Sequence, residues 1–166
     1  PKAGPRQRTM GTRQTYQHPL RLSGAGKRDT RTQFGALCYR VRKSEVQVLL
    51  ISSLTTRRWI LPKGWPMDGL TPSDAAAQEA WEEAGVKGNV FDMCLGIYSY
   101  NKMIEPMVVL PCLVVVFPLE VKKFEDIYPE AGLRRRKWFS LKKAATRLAE
   151  PELQQILRDF DPKRLR

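Results

Sequence analysis

Histidine is nearly absent. His18 is the single one among 166 residues and stands in a polar stretch, so a His-rich zinc site is excluded and histidine-based catalysis is disfavoured. Cysteine is scarce as well. Cys38, Cys94 and Cys112 are an odd, widely spaced set in apolar neighbourhoods, and they read as buried thiols of a reducing compartment, the cytoplasm, and not as disulfides or metal ligands. No run of 18 apolar residues exists. The longest, Met107–Phe117, is interrupted by Pro111 and too short to cross a bilayer, so no membrane association is expected. The first residues also lack the apolar centre of a signal peptide. Acidic side chains fall short of basic ones, 17 Asp and Glu against 29 Lys and Arg, leaving a formal net charge of +12. Such an excess calls for an acidic partner: a phosphorylated small molecule, a nucleic acid or an anionic surface.

At 19.1 kDa the chain fits one domain with a real core. Residues 1–30 carry Arg and Lys among Pro, Gly, Thr and Gln with almost no apolar periodicity; they read as a flexible basic leader, or alternatively as an arm adding cations to a site. The folded domain is expected over 31–166. Phe34–Val41 and Val46–Ser53 read as hairpin strands, Leu54–Arg58 as a loop, and Trp59–Leu61 as a short strand. Asn89–Met93 and Leu95–Tyr100 look extended, and a polar loop is expected over Asn101–Pro106. Met107–Phe117 reads as a core strand in which Pro111 demands a bulge or an edge position. A loop is expected over Leu119–Glu130 and a strand over Arg134–Ser140. Ser140 should cap a helix over Leu141–Leu148, and a last helix is expected over Pro151–Phe160. This mixture predicts an α/β or α+β layered fold.

The densest chemistry lies in Trp59–Lys87, WILPKGWPMDGLTPSDAAAQEAWEEAGVK. Thr71 is a good N-cap, Pro72 suits the first helical position, Asp74 follows three residues past the cap, and Gly85 suits the left-handed position at the end. Between them Glu79, Glu82 and Glu83 fall at i, i+3 and i+4 on one helix face, opposite an apolar stripe of Ala77, Ala80, Trp81 and Ala84. Carboxylates in a last turn oppose the helix dipole at a cost of roughly 0.3–1 kcal/mol each. A divalent cation would reverse that cost, and Mg²⁺ is usually held by one or two carboxylates plus substrate phosphates. The turn-rich loop Pro62-Lys63-Gly64 and Met67-Asp68-Gly69 can bring main-chain carbonyls to the same ion.

Gly64, Glu79, Glu82, Glu83, Gly85 and Val86 stand at the spacings of the Nudix box, and the chain resembles the Nudix hydrolases that cleave diphosphoinositol polyphosphates and diadenosine polyphosphates. Two positions depart from the box: Leu70 stands in place of its first Glu and Gln78 in place of its Arg. Their joint loss reads as an internal ion pair exchanged for an uncharged arrangement. The resemblance implies the Nudix fold, a mixed β-sheet between α-helices. It also implies hydrolysis of a pyrophosphate bond, with Mg²⁺ (or Mn²⁺) held by Glu79, Glu83 and the main-chain carbonyl of Lys63, and with Glu82 accepting the proton of the attacking water. Substrate phosphates would meet Arg31, Arg40, Arg57, Arg58, Lys63, Lys102 and Arg135. Ser52 and Ser53 are weaker candidates, Trp65 could stack on a base, and Glu125, Asp126 or Glu130 could add a ligand from a later loop. An RNA 5′-pyrophosphohydrolase and a non-catalytic polyphosphate-binding module are the alternatives. Monomer and homodimer both remain open.

Overall fold

Largely apolar runs after residue 31 build one sheet buried on both faces, seen in a computed structural model that describes residues 31–165. The leader over 1–30 lies outside the described residues. Its strands are β1 (Thr32–Arg42), β2 (Glu45–Ser52), β3 (Trp59–Ile60), β4 (Lys63–Gly64), β5 (Val86–Val90), β6 (Gly96–Glu105), β7 (Val108–Phe124) and β8 (Arg136–Ser140). The helices are α1 (Pro72–Ala84), α2 (Leu141–Arg147) and α3 (Pro151–Asp159). The sheet order is β3-β2-β1-β7-β5, with β4 against β1, β6 against β7 and β8 against β2. Among the described residues only the central pair β1·β7 is parallel, so the sheet is mixed.

The two faces of the sheet bury different sets. Leu37, Tyr39, Val48, Leu50, Val114 and Val116 pack with Ala144, Leu153, Leu157 and Phe160 from α2 and α3. Ala36, Cys38, Leu49, Ile51 and Phe117 face the other way, against Ala76, Ala80 and Ala84 of α1. Small side chains on α1 let the helix approach the sheet closely. The buried line runs through Ala76, Ala80 and Ala84, whereas Ala77 and Trp81, expected in that stripe, lie partly exposed at its flank. Trp81 meets the edge of Tyr128 instead, with ring centroids 6.5 Å apart.

Two loop expectations and one burial expectation are corrected. β6 continues through Asn101–Glu105, because an antiparallel edge ladder with a solvent face accepts polar residues; only Pro106 and Met107, the latter at φ 68°, form the turn. β7 runs on to Phe124, where β5 supplies it with an antiparallel partner. Cys94 is exposed, while Cys38 and Cys112 are buried; all three are free thiols. Pro111 sits where β7 pairs with β6 alone. The Leu113 N–H donates to Arg31 O at 2.9 Å, so the same-side donor two residues earlier would belong to Pro111, which has none. The parallel ladder therefore begins at Leu113.

Candidate active site

The caps of α1 form as its sequence dictates. Thr71 accepts the Asp74 N–H at 3.1 Å, Pro72 opens the helix, and Gly85 ends it at φ 66°. This fixes the rotation of α1 over the sheet and aims Glu79 and Glu83, one turn apart, at β4. A Cβ on Gly64 would fall within the van der Waals envelope of the Glu79 carboxylate, so only glycine lets that carboxylate approach the strand. Next to it, the Lys63 N–H donates to Glu83 Oε2 at 3.3 Å. Both carboxylates thus converge on the Lys63–Gly64 backbone. Glu82 is held otherwise: its Oε1 accepts from Gln78 Nε2 at 3.0 Å, and its main-chain carbonyl accepts the Glu130 N–H at 3.0 Å.

The residues present fit a hard divalent ion. Glu79 and Glu83 lie against one short stretch of backbone, and burial pushes the Glu83 carboxyl up to about 7 despite Arg134 and Lys63 beside it. A carboxylate so disfavoured has reason to gain a cation. Among the described residues no three Asp, Glu, His or Cys side chains form a metal-holding group by themselves. The donors that the structure brings together are the two carboxylates, a number suited to an ion that completes its shell with water and phosphate.

Around this pair the chain gathers positive charge. Burial lowers Lys63 to about 8, and Lys102, Arg134 and Arg58 act on it in the same direction. Lys102 rests over the Trp65 ring at 5.7 Å, Arg135 over Trp59 at 4.9 Å, and Lys63 over Tyr100 at 4.6 Å from the centroid. Arg31 and Lys102, with Lys63, act electrostatically on Cys112.

Other expected contacts are spent within the protein. Arg58 donates to Glu150 Oε1 at 2.7 Å and Arg57 to Leu133 O at 2.9 Å. Arg40 lies over Trp138 at 3.9 Å and donates to Gln47, roughly 17 Å along β1 from the Gly35 that pairs with Lys63. Ser52 is fully buried, its hydroxyl accepting the Arg135 N–H at 2.9 Å. Leu70 packs onto the α1-side core, whereas Gln78 donates to the Glu82 carboxylate, so the two departures from the box serve different partners.

Sequence reasoning missed Arg134 and Arg136. Arg134, 8% exposed at its side chain, reaches Glu83 at 3.5 Å, Glu130 at 3.0 Å and Ser52 O at 3.2 Å. Arg136 donates to Ala84 O at 3.0 Å and Glu125 O at 2.8 Å, supplying at the end of α1 the positive charge that its own last turn lacks. Alternation along an extended segment was the available signal, since it separates Arg134 and Arg136 from Arg135.

The family model for the NUDIX domain matches residues 31–160. Nudix hydrolase 13, mitochondrial, of Arabidopsis thaliana is 34% identical over 123 residues, 71% of this chain and 61% of that protein. Diphosphoinositol polyphosphate phosphohydrolase 3-alpha of Homo sapiens is 33% identical over 108 residues, 65% of this chain and 63% of that protein. The chain thus spans about three-fifths of the length of these curated relatives. Among solved structures, a C. elegans Ap4A hydrolase binary complex matches with a TM-score of 0.58 at 20% identity, covering 78% of this chain and 93% of that one. The E. coli dihydroneopterin triphosphate pyrophosphohydrolase matches with a TM-score of 0.61 at 17% identity, covering 80% and 96%. A mixed sheet between helices, a glycine against a helix carboxylate, and a family match over most of its length show that this chain belongs to the Nudix hydrolase superfamily.

Proposed function

We propose that the chain hydrolyses a pyrophosphate bond in a highly phosphorylated small molecule, a diphosphoinositol polyphosphate or a dinucleoside polyphosphate, by attack of water on phosphorus. The observation that carries this reading is the convergence of Glu79 and Glu83 on Lys63–Gly64 beside Lys63, Lys102, Arg58 and Arg134. Glu79, Glu83 and the Lys63 carbonyl would hold Mg²⁺, or Mn²⁺ in its place. When bound, the ion lowers the pKa of water and polarises the phosphoryl group. Glu82 accepts the proton of the attacking water; the Gln78 amide fixes its Oε1, which leaves Oε2 for that task. Lys63 and Lys102 neutralise phosphate oxygens as point charges.

Between the two substrate classes, the aromatic faces bear on the choice. Tyr100, Trp65 and Trp59 each carry a cation of this chain on one face, which leaves a base the opposite face at most, and Trp59 also meets Phe139. This favours the inositol polyphosphate. Three free thiols and no membrane-crossing helix among the described residues fit a cytoplasmic enzyme, monomer or homodimer.

The test is a panel of diphosphoinositol polyphosphates, diadenosine polyphosphates, nucleotide sugars and capped RNA with product identification. Glu82→Gln is expected to lower kcat by about 10²–10⁴. Undiminished turnover in that variant removes Glu82 from the role of base, and release from capped RNA alone transfers the reading to RNA ends. Equal polyphosphate binding in Mg²⁺ and EDTA without turnover marks a binding module.

A further inference from the structure

Lys63 is an unusual lysine. It is partly buried, yet among the described residues its ammonium makes no hydrogen bond or ion pair; the face of Tyr100 lies 4.6 Å away. Burying an ammonium with three unused donors is costly, and a ring face offsets the charge without taking up those donors. Glu83 is the obvious alternative partner, since its Oε2 already accepts the N–H of the same residue and its charge acts on the Lys63 side chain. A lysine stem is flexible enough to fold toward it. What holds the ammonium elsewhere is Tyr100, itself fixed at both ends. Its hydroxyl donates to Oε1 of Gln33, which is 2% exposed, and its backbone lies opposite Cys112 in the β6·β7 ladder.

We propose that Tyr100, braced by Gln33, is a positioning residue: its ring keeps the Lys63 ammonium off Glu83 and presents its N–H groups to an incoming phosphate. This rests on the pyrophosphate reading of the site and names a residue that reading does not require. Glu83, already met by Arg134 at 3.5 Å, is spared a second cation of the chain, and the ammonium keeps its N–H groups for an anion. Lys102, Arg134 and Arg58 act electrostatically on the same ammonium, and of these Lys102 adds its charge to the attraction of an anion. Without the ring, Lys63 and Glu83 would satisfy each other and both would be lost to substrate.

The experiment compares Tyr100→Phe, Tyr100→Leu, Lys63→Met and the double variant Tyr100→Leu/Lys63→Met. Calorimetry with inorganic tripolyphosphate, with and without Mg²⁺, reads binding, and steady-state kinetics on the substrate from the panel reads KM and kcat separately. Tyr100→Phe keeps the ring but gives up the hydrogen bond to Gln33, and is expected to weaken tripolyphosphate binding by less than Tyr100→Leu does. Tyr100→Leu should weaken it about three- to tenfold and raise KM with little change in kcat. In the Lys63→Met background the same leucine should have no further effect, which a merely structural role of the ring would not produce. Thermal melts confirm that each variant is folded.

Full affinity in Tyr100→Leu overturns the proposal, as does equal loss in the phenylalanine and leucine variants or an undiminished leucine effect in the Lys63→Met background. A wild type that hydrolyses substrate but does not bind tripolyphosphate refutes the inference and leaves the enzyme reading standing. Ring-dependent tripolyphosphate binding without hydrolysis of any panel member does the reverse.

Discussion

Glu83 shows how a single side chain can trade stability for chemistry. Its carboxyl is pushed up to about 7 by burial, against the pull of Arg134 and Lys63, from an ordinary value of 4.5. A raised folded-state value means that the native protein holds the proton more tightly than the unfolded chain does. Its contribution is therefore complete below pH 4.5 and is lost as pH rises through about 7. In chelator, denaturant melts should show stability falling across that window, by on the order of 3 kcal/mol for this group. Glu83→Gln should flatten the fall. Mg²⁺ should oppose it, because a bound cation favours the ionised form. A metal-free protein equally stable at pH 5 and pH 7.5 would contradict this account. At the same scale, the sequence marked Glu79, Glu82 and Glu83 by helical spacing, but spacing alone leaves open which of them turn to the same strand. That depended on Gly64, whose missing Cβ admits the Glu79 carboxylate, and on the Lys63 N–H that catches Glu83.

Local signals located α1 because its determinants are local. Thr71, Pro72 and Gly85 act within a turn of the residues they stop or start, and the structure uses all three. The end of α1 is different, since its compensation comes from elsewhere in the chain. Arg136 donates to the carbonyls of Ala84 and Glu125, while the N–H groups of Glu125 and Glu130 return to Gly85 O and Glu82 O. Arg136→Ala is expected to cost about 1–3 kcal/mol, since a part-buried guanidinium serving two carbonyls leaves both without it. Thermal melting reads that loss directly, and Arg136→Lys should recover only part of it. A variant melting with wild type would show that the helix end is satisfied without the arginine. The extended β6–β7 hairpin was hidden for the opposite reason. Asn101, Lys102 and Glu105 have the composition of a loop, and only pairing with β7 makes them a strand.

For the whole molecule, charge was legible and its arrangement was not. The sequence shows 29 basic against 17 acidic residues, but not that Arg57 and Arg58 are bound to Leu133 O and Glu150 while Lys63 and Lys102 rest on rings near the carboxylates. With such a balance, capture of a polyanion should weaken with salt. Raising ionic strength from 0.05 to about 0.3 M should raise KM several-fold and change kcat little, because screening acts on exposed and distant charges before buried contacts. A salt-independent KM would confine recognition to the buried groups.

The parallel union of β1 with β7 has a consequence for how the molecule is made. Thr32 pairs with Leu113 and Tyr39 with Glu120, so the first strand meets its inner neighbour some eighty residues later in the chain. On a ribosome, the N-terminal hairpin emerges with one bare side and waits for β7. Contacts this distant in sequence close late and slow the search for the native topology. A nascent chain halted at Glu105 would have every carboxylate of the helix and a sheet still lacking its central strand.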